Sequence, residues 1–208
     1  MKIGIIGSGH IGGTLTRRLS ALGHDVTVAN SRGPESLTEL ARESGATAGT
    51  VEQAVQDAEL VVVAIPLFAV PTLPVQPFDG KIVVDANNYY PQRDGDIAEL
   101  LDRSLSSSRW TADHLKGARV VKTFNNIQAA HLMDHGKPAD AGDRIALPVA
   151  GDDNDAKQLV MQLVDALGFD PVDAGTLDES WRQQPDTPVY GTDRDAEGVR
   201  QGLAEARP

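Results

Sequence analysis

Cysteine is absent from this 208-residue chain. No disulfide can staple it, no thiolate can bind a metal, no cysteine nucleophile is available, and the redox compartment stays undetermined. Long apolar runs are missing as well. The N-terminal Met1-Lys2-Ile3-Gly4-Ile5-Ile6-Gly7 is expected to lead straight into structure, since it shows no small-residue cleavage site and leaves no room for a spanning helix. The expectation is a cytoplasmic protein without a membrane partner. Positive charge is in deficit, 19 Lys and Arg against 30 Asp and Glu, for a net charge of −11. Such a surface repels phosphate backbones, so nucleic acid is not an expected partner. A dinucleotide is an anion too, and would have to be held by helix N-termini and a few local basic residues. There is no repeat and no low-complexity tract. Hydrophobic residues make up 40% of the chain, enough for one α/β core.

What is present is an alternation of short β-branched runs with amphipathic stretches, the pattern of βαβ units. Strands are expected at Lys2–Ile6, Asp25–Ala29, Ala46–Ala48, Leu60–Ile65, Lys81–Asp85, Arg119–Lys122, Arg144–Val149 and Phe169–Asp173. Helices are expected at Ile11–Leu22, Pro34–Ser44, Val51–Gln56, Asp94–Leu105, Ile127–Met133 and Asn154–Leu167. The fold class is α/β, a Rossmann-type doubly wound, mostly parallel sheet with helices on both faces. Residues 1–175 form the nucleotide-binding domain. Residues 176–208, polar and punctuated by proline, read as a tail or arm with a short helix near Ala196–Ala204.

Gly7-Ser8-Gly9-His10-Ile11-Gly12 is a full G-x-G-x-x-G between a strand and a helix, the context that gives this otherwise weak motif its meaning. Gly7 permits the tight turn, Gly9 lets backbone approach a pyrophosphate at the helix N-terminus, and Gly12 lets helix and strand pack closely. At the tip of the second strand an NAD site carries Asp or Glu for the ribose 2′-hydroxyl. Here Asn30-Ser31-Arg32 stands instead. Arg32 can form charge-assisted bonds to a 2′-phosphate and Ser31 can donate another, so the expected cofactor is NADP(H). The competing reading of Arg32 is a solvated loop residue.

Ala64-Ile65-Pro66 ends the most apolar strand, where ligands of open α/β sheets bind, and Pro66 and Phe68 are candidate walls for the nicotinamide side. A plain strand terminator explains Pro66 equally well. Asp85–Tyr90 and Thr123–Ile127 leave strand ends with amides, which can read a flat heterocycle or simply serve turn and cap chemistry. His131 and His135 are four apart, but with no third ligand evident no metal is expected. Asp152–Asp155 reads as a helix cap, and no nucleophile elbow or triad is present.

These segments together, with Val120–Ile127, resemble the NADP oxidoreductases that reduce the deazaflavin coenzyme, and the NADPH-oxidoreductase domains of STEAP metalloreductases. The resemblance runs to about Asp173. It implies hydride transfer between NADPH and a flavin-like ring, with deazaflavin, FMN or FAD as the second ring. It also implies that Ser8, His10 and Ile11 line the pyrophosphate, Ser31 and Arg32 the 2′-phosphate, and Ile65 and Pro66 the ribose and nicotinamide. Asn87, Asn126 and Ile127 would face the second ring. The chain departs from the archaeal deazaflavin enzymes in carrying an Asn, Asn125 or Asn126, where those have a His, which leaves the acceptor open.

Hydride transfer between stacked rings needs positioning more than a dedicated acid or base, so no catalytic residue is singled out. The expected partner is a small-molecule redox acceptor, and a homodimer is expected from base rates. The alternatives are an NADP(H)-binding redox-sensing module without turnover and a reductase of a small metabolite. The latter commonly needs a large helical C-terminal domain, and only about thirty mostly polar residues follow the last expected strand. Trp181 in that stretch reads as a cover for the site, as a contact for a partner subunit, or as a surface anchor.

Overall fold

The computed structural model describes residues 1–207. Among them eight strands form a layered sheet in the order β3-β2-β1-β4-β5-β6-β7-β8. The first six are β1 (Lys2–Ile6), β2 (Asp25–Ala29), β3 (Thr47–Ala48), β4 (Leu60–Val63), β5 (Ile82–Asp85) and β6 (Arg119–Lys122). All their pairings are parallel, giving the 3-2-1-4-5-6 order of a Rossmann sheet. β7 (Ala146–Gly151) runs antiparallel to β6, and β8 (Asp170–Asp173) is parallel to β7.

Alternation along the strands explains the two cores. Ile3, Ile5, Leu60, Val62 and Val84 face one side, with α1 (His10–Ala21) and α8 (Asn154–Ala166) packed over them. Ile6, Val61, Val63 and Val83 face the other, under α3 (Val51–Gln56) and α6 (Ser107–His114). β4 is buried at every position because it is covered on both faces, which is why it reads as an unbroken apolar run. α2 (Thr38–Ser44) follows a 3-10 turn at Pro34–Leu37, so the expected Pro34–Ser44 helix is two pieces.

The single helix expected at Asp94–Leu105 is not formed. α4 (Pro91–Asp94) and α5 (Ala98–Leu101) are separated by Gly95 at φ 78°, a left-handed residue that ends the first helix. The polar stretch Ser104–Ser108, for which no helix was expected, contains the start of α6: the Ser106 hydroxyl accepts the Arg109 N–H and caps it. α6 buries Ser107, Ser108 and Thr111, so apolar periodicity could not reveal it. After β6 comes α7 (Ala129–Asp134).

The C-terminal stretch read as a tail or arm packs on the sheet. α9 (Ala196–Glu205), capped by Asp195, buries Val199 and Leu203 with Val189 against Ala146, Ala150 and Val172 of β7 and β8. The Ala146 N–H donates to the Arg194 carbonyl. Few apolar residues carry this contact, and small alanines on the sheet side let the backbone come close. Composition alone therefore reads as solvated.

Candidate functional site

The site begins at the turn after β1. Gly7 has φ +107°, and a Cβ there would lie 2.1 Å from the Ala64 carbonyl oxygen; a Cβ on Gly12 would lie 1.9 Å from that of Gly7. Both glycines are demanded by close backbone approach. Gly9 is different: its Cβ direction meets nothing within 4 Å. Gly9 caps α1 without a side-chain hydrogen bond, and the first turn holds no acidic residue. The start of this 12-residue helix, at Gly9, His10 and Gly13, lines an open cavity beside a glycine that packing does not require, which fits a cradle for an anion.

At the tip of β2, the Asn30 amide donates to the hydroxyls of Ser8 and Ser36, each at 3.0 Å, and its oxygen accepts the Arg32 N–H at 2.9 Å. Asn30 thus ties the glycine turn to the β2 tip and sets the backbone from which Arg32 projects. The exposed Arg32 guanidinium has no hydrogen-bond or ion-pair partner among the described residues. Ser8, Gly9, His10, Arg32 and Ser36 line one cavity of about 830 Å³, which continues to Ala129 and Met133 of α7. Ser31 is exposed on the same turn, and Ile11 is half-buried behind it.

Beyond β4, Ile65 lies beside the glycine turn, and its N–H donates to Asn87 Oδ1 at 2.8 Å. Asn87 Nδ2 is buried with no partner. Pro66 opens a 3-10 turn over Leu67–Thr72, which leaves Phe68 the most exposed large apolar side chain, at 54%. Two loops interlock beyond the sheet: Asn88 Nδ2 donates to the Asn125 carbonyl at 2.8 Å, and Asn125 Nδ2 returns a bond to Asn88 Oδ1 at 3.0 Å. Asn126 turns to the C-terminal segment. Its Nδ2 donates to the Val189 carbonyl, its own carbonyl accepts the Gly191 N–H, and its Oδ1 is buried without a partner. Ile127 packs in the main core rather than standing open at the loop.

Sequence reasoning missed two features. Under the Asn87 loop, the fully buried Lys122 donates to the Asn87 carbonyl and lies 3.4 Å from Asp85 Oδ2, which also accepts the Ser108 hydroxyl. Burial lowers the Lys122 pKa, and Asp85 opposes but does not cancel it. The available signal was a pair of opposite charges at the ends of adjacent apolar strands, Val84-Asp85 and Val121-Lys122. The second feature is a hydroxyl–hydroxyl contact between Tyr90 and Tyr190, 100 residues apart. Burial, then the bond to Tyr90, pushes the Tyr190 pKa up. The guanidinium of Arg93 stands 4.9 Å over the Tyr90 ring. Nothing local in the sequence announces this pair.

Strand order and glycine turn together define a Rossmann-type domain. Residues 2–89 match the family model described as NADP oxidoreductase, coenzyme F420-dependent. The F420-dependent NADP reductase of Methanothermobacter marburgensis is 28% identical, with 91% of this chain and 90% of that protein covered. The metalloreductase STEAP3 of Rattus norvegicus is 34% identical over 85% of this chain. The solved structure of a hypothetical protein, SMa0349 from Sinorhizobium meliloti, has a TM-score of 0.78 at 32% identity, covering 93% of this chain and 95% of that one. Over residues 2–89 the chain resembles the coenzyme F420-dependent NADP oxidoreductases. Two curated relatives are much longer than the region they share: the chain spans 48% of one and 34% of STEAP3. Among the described residues no helix is long and apolar enough to cross a membrane.

Proposed function

We propose that the chain binds NADP(H) and transfers hydride between its nicotinamide and a deazaflavin-type ring. The observation that carries this reading is the unpartnered Arg32 on the same cavity wall as Ser8, Gly9 and His10. A cation and an uncapped helix N-terminus converge there, and Asn30-Ser31-Arg32 after β2 puts no acid where an NAD site carries one, although Glu39 and Glu43 line the far wall of the same cavity. The open Cβ direction of Gly9 and the orphaned Asn87 amide are the features a bound dinucleotide would explain.

In this reading the α1 N-terminus, Ser8, Gly9 and His10 hold the pyrophosphate, and Ser31 and Arg32 hold the 2′-phosphate. Ile65, Pro66 and Phe68 border the nicotinamide. Asn87 fixes the Ile65 backbone through its oxygen and offers its free amide hydrogens. Lys122 and Asp85 hold the Asn87 loop from below, and Asn126 stands between the C-terminal segment and the second ring. When bound, NADPH supplies the hydride. The chain contributes orientation, with a Phe68-walled surface that excludes water from one ring face. The F420-dependent methanogen relative supports a deazaflavin acceptor. The test is calorimetric titration with NADPH and NADH, followed by absorbance assays with the deazaflavin coenzyme and with FMN. NADPH preference with deazaflavin reduction is expected. NADPH binding without reduction of either ring would instead favour a redox-sensing module.

A further inference from the structure

His131 lies in α7 and His135 caps its C-terminus, so their side chains share one face. Sequence offers only this pair. The fold supplies a third donor from 58 residues further on: ligand-capable atoms of His131, His135 and Asp193 all lie within 4.8 Å of one another. Asp193 contacts His131 Nδ1 at 2.7 Å. The two imidazoles stack, with centroids 4.4 Å apart and planes 13° from parallel. An ion pair accounts for His131 and Asp193 but leaves His135 without a role.

We propose that His131, His135 and Asp193 bind a borderline divalent ion, Zn²⁺ being the expected occupant. Two imidazoles and one carboxylate, with water completing a tetrahedron, suit this class of ion and not Mg²⁺, which prefers oxygen ligands. Bonds of about 2.0–2.1 Å place tetrahedral ligand atoms roughly 3.4 Å apart, so rotations of partly exposed side chains close the site. The net charge of −11 favours a cation at the surface. The ion would staple α7 to the segment holding Val189, Tyr190 and Gly191. That segment is bonded to Asn126 and Tyr90, so metal occupancy would steady the loop Asn126 shares with the site.

The test uses the full chain without a histidine tag, stripped by chelator and titrated with ZnCl₂, with MgCl₂ as the contrast. One Zn²⁺ per chain and no Mg²⁺ uptake are expected. His131→Ala, His135→Ala and Asp193→Ala should each weaken Zn²⁺ binding by about tenfold or more. Co²⁺ should give tetrahedral visible bands that His135→Ala abolishes. Hydrogen exchange at 187–193 should slow with Zn²⁺ in the wild type and not in the triple variant. All three side chains are partly exposed, so the variants should fold, as circular dichroism can verify. Failure to bind Zn²⁺ more tightly than about 100 µM, or equal binding by the triple variant, overturns the proposal.

Discussion

Lys122 and Asp85 stand in register on neighbouring strands, and their side chains meet 3.4 Å apart with no solvent exposure on either. The pair is held by Ser108 on one side and the Asn87 carbonyl on the other, so it is a buried network and not an isolated bridge. Removing one partner strands a charge in the core. Asp85→Ala should cost about 3–5 kcal/mol of unfolding free energy. The double variant Asp85→Ala/Lys122→Met should cost less than the two single changes added together. Urea unfolding of all four proteins measures this, and additivity within about 0.5 kcal/mol would mean the pair is not coupled.

The Arg32 guanidinium has no partner among the described residues, and its backbone bond to Asn30 survives substitution, so replacing the side chain should leave the fold alone. Arg32→Ala should weaken NADPH binding by about 1.5–3 kcal/mol and leave NADH unchanged within error. Calorimetry decides the point: equal losses for both nucleotides would remove the 2′-phosphate from this position.

Gly9 and Gly12 have the same letter and opposite reasons. Gly12→Ala drives a Cβ into the Gly7 carbonyl and should destabilise by several kcal/mol or prevent folding. Gly9 sits at φ −71°, ψ −164°, where alanine is unstrained. Gly9→Ala should keep stability within about 1 kcal/mol of wild type yet weaken NADPH at least tenfold. Thermal melts paired with titration separate the two. Full NADPH affinity in the Gly9 variant would argue that no phosphate approaches the loop there.

Asp94 ties the loop carrying Phe68 to α4. Burial pushes its pKa up, but hydrogen bonds from Arg93, from the Tyr90 N–H and from the Phe68 N–H, with the Arg93 charge, outweigh burial and hold it below its ordinary 3.8. A carboxylate depressed in the folded state contributes stability above its unfolded pKa and loses it as pH falls through the folded one. Wild-type stability should therefore fall below about pH 4, and Asp94→Asn should show a shallower acid limb there. An unchanged acid limb would assign the loss to other carboxylates.

Of the three tyrosines, Tyr190 should ionise last. In a spectrophotometric titration, one third of the tyrosinate signal should lag above the ordinary phenol range, and Tyr190→Phe should abolish the lagging fraction. If all three ionise together, the contact with Tyr90 is not held in solution.

Much of this molecule was legible residue by residue. Each strand that is buried on both faces announced itself, as Leu60–Val63 did, because a double-sided strand must be apolar throughout. The glycine turn was legible because only glycine tolerates the approach of Ala64 to Gly7 and of Gly7 to Gly12. The missing acid at Asn30-Ser31-Arg32 was legible because the βα connection places strand tip and turn side by side. These are short-range rules, set by sterics and period, and a linear text carries them.

Contacts between distant segments were not legible. Lys122 could be placed on a strand, but its partner Asp85 is chosen by strand order. Helix α6 hides behind buried hydroxyls whose partners lie elsewhere in the chain. The supposed tail folds back because alanines on β7 and Ala174 after β8 leave room for Val189, Val199 and Leu203. That same return brings Tyr190 to Tyr90 and Asp193 to His131. Local sequence thus specified the parallel strands and the steric demand for glycine at the first turn. The pairings between elements, and the company that Lys122, Tyr190 and His131 keep, were settled by packing, because a side chain's partner across 37 or 100 residues depends on how whole layers close over one another.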